Sequence, residues 1–213
     1  MTEIDVNFLR ASFAVARRAR DRGNFPFGAV LVDATGAVLL EGENTQLTDR
    51  ECTGHAELNL LREATARYDP DTLAGCTLYA SAEPCPMCAG AIYWCRVGRL
   101  VFGLGAYQLC EITGDNPANP PLLMRCTEVF ARGTRRIVVR GPALERVAAE
   151  VHAGFWRPAA TGPAWPDLAR GRKGDAMPRA SRAWAGRHPA AASLGRIPRY
   201  SASAAAGWPG YPR

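Results

Sequence analysis

No stretch of this chain runs to eighteen consecutive apolar residues, about the length a membrane-crossing helix needs, so no such helix is expected. The opening, MTEIDVNFLR, carries acids where a signal peptide needs basic residues and then a greasy stretch, which predicts an intracellular, cytoplasmic chain. Internal repeats are missing as well. Histidine is scarce, with three residues in all: His55, His152 and His188. There is no second CxxC and no HxxxH, the patterns that complete most structural metal clusters. Seven cysteines form an odd set, and an intracellular chain keeps its thiols reduced. A disulfide framework is therefore the poorer reading; buried small side chains together with one metal site is the better one.

What is present suits one ordinary domain with a remainder: 213 residues, 47% of them hydrophobic, enough for a packed core. The formal charge of +6 belongs to the remainder. Met1 to Trp156 holds 16 basic residues against 18 acidic ones, whereas Arg157 to Arg213 holds 10 against 2. The overall basicity is thus no evidence about what the body binds. The expected division is a domain over 1–157 and a Pro/Ala/Gly/Arg-rich basic tail over 158–213. The tail shows no sustained period and is expected to be disordered. A basic arm for RNA is one reading of it; a solvated low-complexity extension is the plainer one and is preferred.

Periodicity predicts the elements. Ile4, Phe8, Ala11, Val15 and Ala19 recur at helical spacing up to Gly23. FGAVLVD and AVLLEGEN form a hairpin about the turn ATG. GHAELNLLREATARY is a helix, CTLYAS a strand, PMCAGAIYWCR a helix and GRLVFGL a strand. An irregular stretch follows, then the strand RRIVVRG and the amphipathic helix ALERVAAEVHAGFW. Strands alternating with helices after a hairpin imply parallel neighbours. The fold class expected is α/β, a three-layer α/β/α sandwich around a central five-stranded mixed sheet.

Two loop-to-helix junctions carry the chemistry. In SAEPCPMCAGA, Cys85 and Cys88 stand three apart at a helix start, so their sulfurs share a face. The helix N-terminus favours the thiolate form that binds metal. His55, opening the preceding helix in GHAE, is the natural third ligand. A catalytic zinc keeps three protein ligands and a water, whereas a structural zinc closes with a fourth. Cys52, three residues before His55, is the weak candidate for that fourth ligand. Glu57 bears on the choice. Side chains splay around a helix end, so Glu57 can reach a metal-bound water while His55 holds the ion, and zinc lowers that water's pKa from about 15.7 towards about 7. HAE followed by PCPMC, each opening a helix, favours the three-ligand catalytic zinc. A non-catalytic zinc module binding nucleic acid through the tail remains an alternative, and Glu57 argues against it.

With these motifs the chain resembles the cytidine-deaminase-like superfamily from about Asn7 to Trp156, and within it the small nucleobase deaminases and bacterial tRNA adenosine deaminases. The resemblance implies one zinc on His55, Cys85 and Cys88, Glu57 as proton shuttle, and a homodimer or higher oligomer. It also implies that Asn44, in EGEN, hydrogen-bonds the substrate, helped by backbone at Ala56. Phe27, in FPFGAVLV, is expected to stack on a planar base; guanine deaminases of the family carry an aromatic there. Trp94, in GAIYWCRV, is expected to line the pocket, with core packing an equal reading. The segment LGAYQLCEITGDNPANPPLLMRCTEVFARG does not match the guanine enzymes; Glu111, Asp115 and Asn116 are its polar candidates. Glu83 is expected to hold loop backbone. The function expected is hydrolytic deamination of a free nucleobase or nucleoside. The alternative is a tRNA wobble-adenosine deaminase, which needs basic surface such as a cluster of Arg96, Arg99, Arg135 and Arg136.

Overall fold

The computed structural model describes residues 1–114, 116 and 119–156. The expected disorder of the 158–213 tail lies outside the described residues, and so does Asp115.

Helix α1, Glu3–Asp21, starts on a reciprocal cap in which Thr2 Oγ1 accepts the Asp5 N–H and the Asp5 carboxylate accepts the Thr2 N–H. Strands β1, Gly28–Val32, and β2, Val38–Glu43, form the antiparallel hairpin. A short helix α2, Gln46–Asp49, precedes α3, Ala56–Arg67, and α4, Pro70–Gly75, leads into β3, Thr77–Ala82. Helix α5, Pro86–Trp94, is followed by β4, Arg99–Leu104, and the remainder is α6, Ala106–Thr113, α7, Cys126–Phe130, β5, Val138–Arg140, and α8, Glu145–His152.

The sheet order is β2-β1-β3-β4-β5; β1 runs antiparallel to both neighbours, and β3, β4 and β5 run parallel. Alternate residues of the central strands feed two cores. Leu31, Leu78 and Phe102 pack with Leu60, Leu61 and Ile92 of α3 and α5. Val30, Tyr79 and Val101 pack with Leu9, Phe13 and Val151 of α1 and α8. Both faces being covered explains why β1 reads as the unbroken apolar run GAVLV. Each fully buried Leu or Val contributes roughly 1.5–3 kcal/mol. The three-layer sandwich and five-stranded mixed sheet are as the sequence implies.

Two differences matter. The stretch read as irregular contains α6 and α7, and Leu109 and Ile112 of α6 pack against the α1/α8 core. The last strand shrinks from the expected Arg135–Gly141 to three residues at the sheet edge. Among the described residues no helix is long and apolar enough to cross a membrane. All seven cysteines are free thiols.

Candidate active site

The site forms where α3 and α5 begin. His55 is the residue before α3, held in extended backbone, and its side chain makes no capping bond. Glu57 lies in the first turn. Cys85 occupies the same position before α5, with Pro86 opening the helix, and Cys88 is three residues on. Since each helix begins beside the other, the four side chains converge. His55 Nδ1 lies 3.6 Å from Cys85 Sγ and 3.5 Å from Cys88 Sγ. Cys88 Sγ also lies 3.6 Å from Glu57 Oε2.

The donor atoms of His55, Cys85 and Cys88 lie within 4.8 Å of one another. One imidazole nitrogen and two sulfurs at helix N-termini are the donor set of a zinc site with an open position, so the residues fit the ion. The two thiols titrate unequally: the Cys88 thiol beside it holds Cys85 well below the ordinary thiol range, and Cys88 is pushed up in turn. Burial pulls His55 down, but the Cys85 sulfur and the Glu57 carboxylate outweigh it, and the imidazole ends above its usual value. Burial raises Glu57, countered only in part by His55. Cys52 is exposed and stands outside the donor trio.

A cavity of about 530 Å³ opens over this cluster. His55, Glu57, Cys85, Gln46 and Phe27 give it polar and aromatic lining, and Leu109, Pro121, Leu123 and Met124 give it apolar lining. Phe27 is half-buried and backed by α8: its ring centroid lies 5.4 Å from the His152 ring and 6.2 Å from Trp156. The Trp156 indole N–H donates to His152 Nδ1 at 3.0 Å. His152 is buried, and burial and then Arg20 lower its pKa to about 4, so the ring is neutral. Glu83 does hold backbone: its carboxylate accepts the N–H groups of Ala106 and Cys126, both at 3.1 Å, tying the starts of α6 and α7 to the site.

Three expected substrate residues stand elsewhere. Trp94 is 80% exposed and does not line the cavity of this chain. It lies six residues beyond Cys88 along α5, a rise of about 9 Å, which carries it away from the metal end. Asn44 is 1% exposed and off the cavity wall; both halves of its amide bond to Gln46. Ala56 is buried beneath the wall against β2 and does not line it either. Glu111 and Asn116 are likewise outside the lining. Sequence reasoning missed Gln46, Ser81 and Thr113, which do line it. Only the position of Gln46, two residues after Asn44, offered a signal.

The profile of the cytidine and deoxycytidylate deaminase zinc-binding region matches residues 2–104. A probable cytosine deaminase of Schizosaccharomyces pombe is 37% identical over 157 residues, covering 73% of this chain and 94% of that protein. A tRNA-specific adenosine deaminase of Haemophilus influenzae is 39% identical over 107 residues, covering 50% of this chain and 62% of that protein. A solved guanine deaminase from Nitrosomonas europaea superposes with a TM-score of 0.55 at 26% identity, covering 68% of this chain and 80% of that one. The near-complete match to the first of these relatives, with the profile's match across both helix openings, means that the chain belongs to the cytidine and deoxycytidylate deaminase zinc-binding family.

Proposed function

We propose that the chain is a zinc-dependent hydrolase that removes the amino group of a free nucleobase or nucleoside, releasing ammonia. The observation that carries the reading is Glu57, a buried carboxylate on the cavity wall beside the donor trio and outside it. A structural zinc site has no use for such a group.

His55, Cys85 and Cys88 would hold one zinc per chain, which when bound supplies a water acidic enough to react near neutral pH. Glu57 would take one proton from the attacking water and pass it to the ring nitrogen as the water oxygen bonds to the amino-bearing carbon, then take the second proton from the added hydroxyl and deliver it to the departing amine; the C–N bond breaks, ammonia leaves and a carbonyl remains. The raised pKa of Glu57 suits a group that must both take and give a proton. The Phe27 ring, steadied by His152 and Trp156, is a face for a planar base to stack on. The apolar walls exclude water. The cavity volume falls in the range of small-ligand sites.

Wobble-adenosine deamination in tRNA is the second reading, favoured by the similarity to the Haemophilus influenzae protein. Two of its four basic candidates are occupied. Arg99 pairs with Asp5 at 2.6 and 2.8 Å, and Arg135 donates to the carbonyls of Tyr93 and Val97 at the end of α5. Among the described residues no Lys or Arg lines the cavity. The small-molecule reading is therefore preferred. A homodimer free in the cytoplasm completes the proposal. The test is ammonia release by zinc-loaded protein from guanine, cytosine, adenine, their nucleosides and a tRNA anticodon stem-loop with adenosine at the wobble position. Turnover of a base or nucleoside is expected; turnover of the stem-loop alone overturns the preferred reading.

A further inference from the structure

One of the polar groups that line the cavity, Gln46, is an amide whose orientation the fold has already chosen. The Gln46 backbone N–H donates to Asn44 Oδ1 at 3.1 Å, which fixes the Asn44 amide nitrogen as the outward half. That nitrogen donates to Gln46 Oε1 at 2.8 Å. Gln46 Nε2 in turn donates to the Cys52 carbonyl at 3.2 Å. Flipping the Gln46 amide would set nitrogen against nitrogen at Asn44 and oxygen against oxygen at the Cys52 carbonyl, so its two ends are not interchangeable here.

The frame around this pair is tight. Asn59 of α3 donates to the Glu43 carbonyl at 2.8 Å and to Thr45 Oγ1 at 2.9 Å, and the Thr45 N–H reaches the Gly54 carbonyl at 2.8 Å. A side chain at position 54 would sit 2.9 Å from Thr45 Oγ1 and 3.2 Å from the Gln46 nitrogen, so glycine there lets the two loops close on each other. Gln46 itself is 7% exposed and lines the cavity, while Asn44 lies behind it. After these bonds the Gln46 amide keeps one N–H and one carbonyl lone pair to offer.

We propose that Gln46 is a specificity-determining residue, its locked carboxamide reading a ring edge that offers the complementary acceptor and donor, such as the C=O and N–H of a lactam. Asn44 is a positioning residue that acts through it. The inference rests on the deaminase reading. A fixed donor–acceptor pair on a cavity wall discriminates strongly, because an analogue lacking the edge leaves both atoms unpaired.

Two readouts separate this claim from that reading. Binding of guanine and of 2-aminopurine, which lacks the lactam edge, is measured by calorimetry on zinc-loaded Glu57→Gln protein with Gln46 intact and with Gln46→Met. Turnover of the same pair is measured with Glu57 present. Gln46 protein is expected to favour guanine by roughly tenfold to hundredfold, and Gln46→Met is expected to bring the ratio near unity with its zinc content unchanged. Asn44→Ala should narrow the ratio without abolishing it. A ratio unaltered in Gln46→Met, or no preference with Gln46 present, overturns the assignment even if turnover is brisk. Binding with the expected ratio upholds Gln46 whether or not guanine is turned over, and the panel of bases and nucleosides decides the deaminase reading separately. No binding of guanine overturns the assignment of Gln46 and leaves the deaminase reading to the same panel.

Discussion

Glu57 Oε2 and Cys88 Sγ lie 3.6 Å apart, brought together from the first turns of two helices. The same sulfur is 3.5 Å from His55 Nδ1, so one atom links the donor trio to the carboxylate that would move protons. Neither helix could arrange this alone.

Replacing Cys88 by Ser should cost the metal before it costs the fold. Cys88 is fully buried in the packed junction, and serine is smaller and a poorer zinc ligand. We expect bound zinc to fall from one per chain towards zero, and activity with it, while the circular dichroism spectrum stays native. Metal content per folded chain is the check.

Gly42→Ala should act on the same centre from behind. A Cβ at position 42 would lie 2.3 Å from the Ala56 carbonyl oxygen and 2.7 Å from Leu60 Cβ, so β2 must move away from the start of α3. Overpacking of this kind costs about 1–3 kcal/mol. Because the displaced turn holds His55 and Glu57, zinc affinity and activity should fall further than stability alone explains. Denaturant melts set beside zinc titrations measure both.

His152 gives a pH dependence with a definite sign. Its folded pKa is lowered from 6.5 to about 4, chiefly by burial, so between those values the unfolded chain binds a proton that the folded chain refuses. Stability from this residue is complete well above pH 6.5 and declines as the pH falls towards 4, by on the order of 3 kcal/mol. Thermal melts of the zinc-loaded protein at pH 7 and pH 5 should show the drop, and His152→Phe should flatten it.

Asp5 gives a pH dependence of the same sign, set at lower pH. The Arg99 guanidinium holds its carboxyl well below the usual carboxylate range, and the Tyr79 hydroxyl donates to the same group at 2.9 Å. Its contribution is therefore present above the ordinary aspartate pKa of 3.8 and lost as the pH falls through the lowered folded value. Asp5→Ala leaves Arg99 and Tyr79 facing an empty site and should destabilise by about 2–4 kcal/mol at pH 7, the lower figure because Arg99 is partly solvated. Urea melts of the two proteins decide it.

The parts of this molecule written in local pattern were legible in the sequence. The five strands and the helices α1, α3, α5 and α8 follow from apolar period and end signals, and the pairing of HAE with PCPMC follows from two helix openings that crossovers bring to one edge. What escaped depended on tertiary contact. Helices α6 and α7 lie among glycines and prolines that read as loop, and α7 is fastened by Glu83, 43 residues before Cys126. Whether Asn44 or its neighbour Gln46 faces the cavity turns on a carbonyl six residues further on, which no spacing announces. Trp94 belonged to the right helix but to its far end.

In the proposed reaction Glu57 moves the protons while His55, Cys85 and Cys88 hold the metal. The most direct measurement compares ammonia release and zinc content in the native protein and in Glu57→Gln, using whichever base the native enzyme turns over fastest. We predict one zinc per chain in both and a loss of turnover of at least about a thousandfold in the variant, within the range that general acid–base groups contribute. Turnover retained within about tenfold, with zinc bound, would contradict the account.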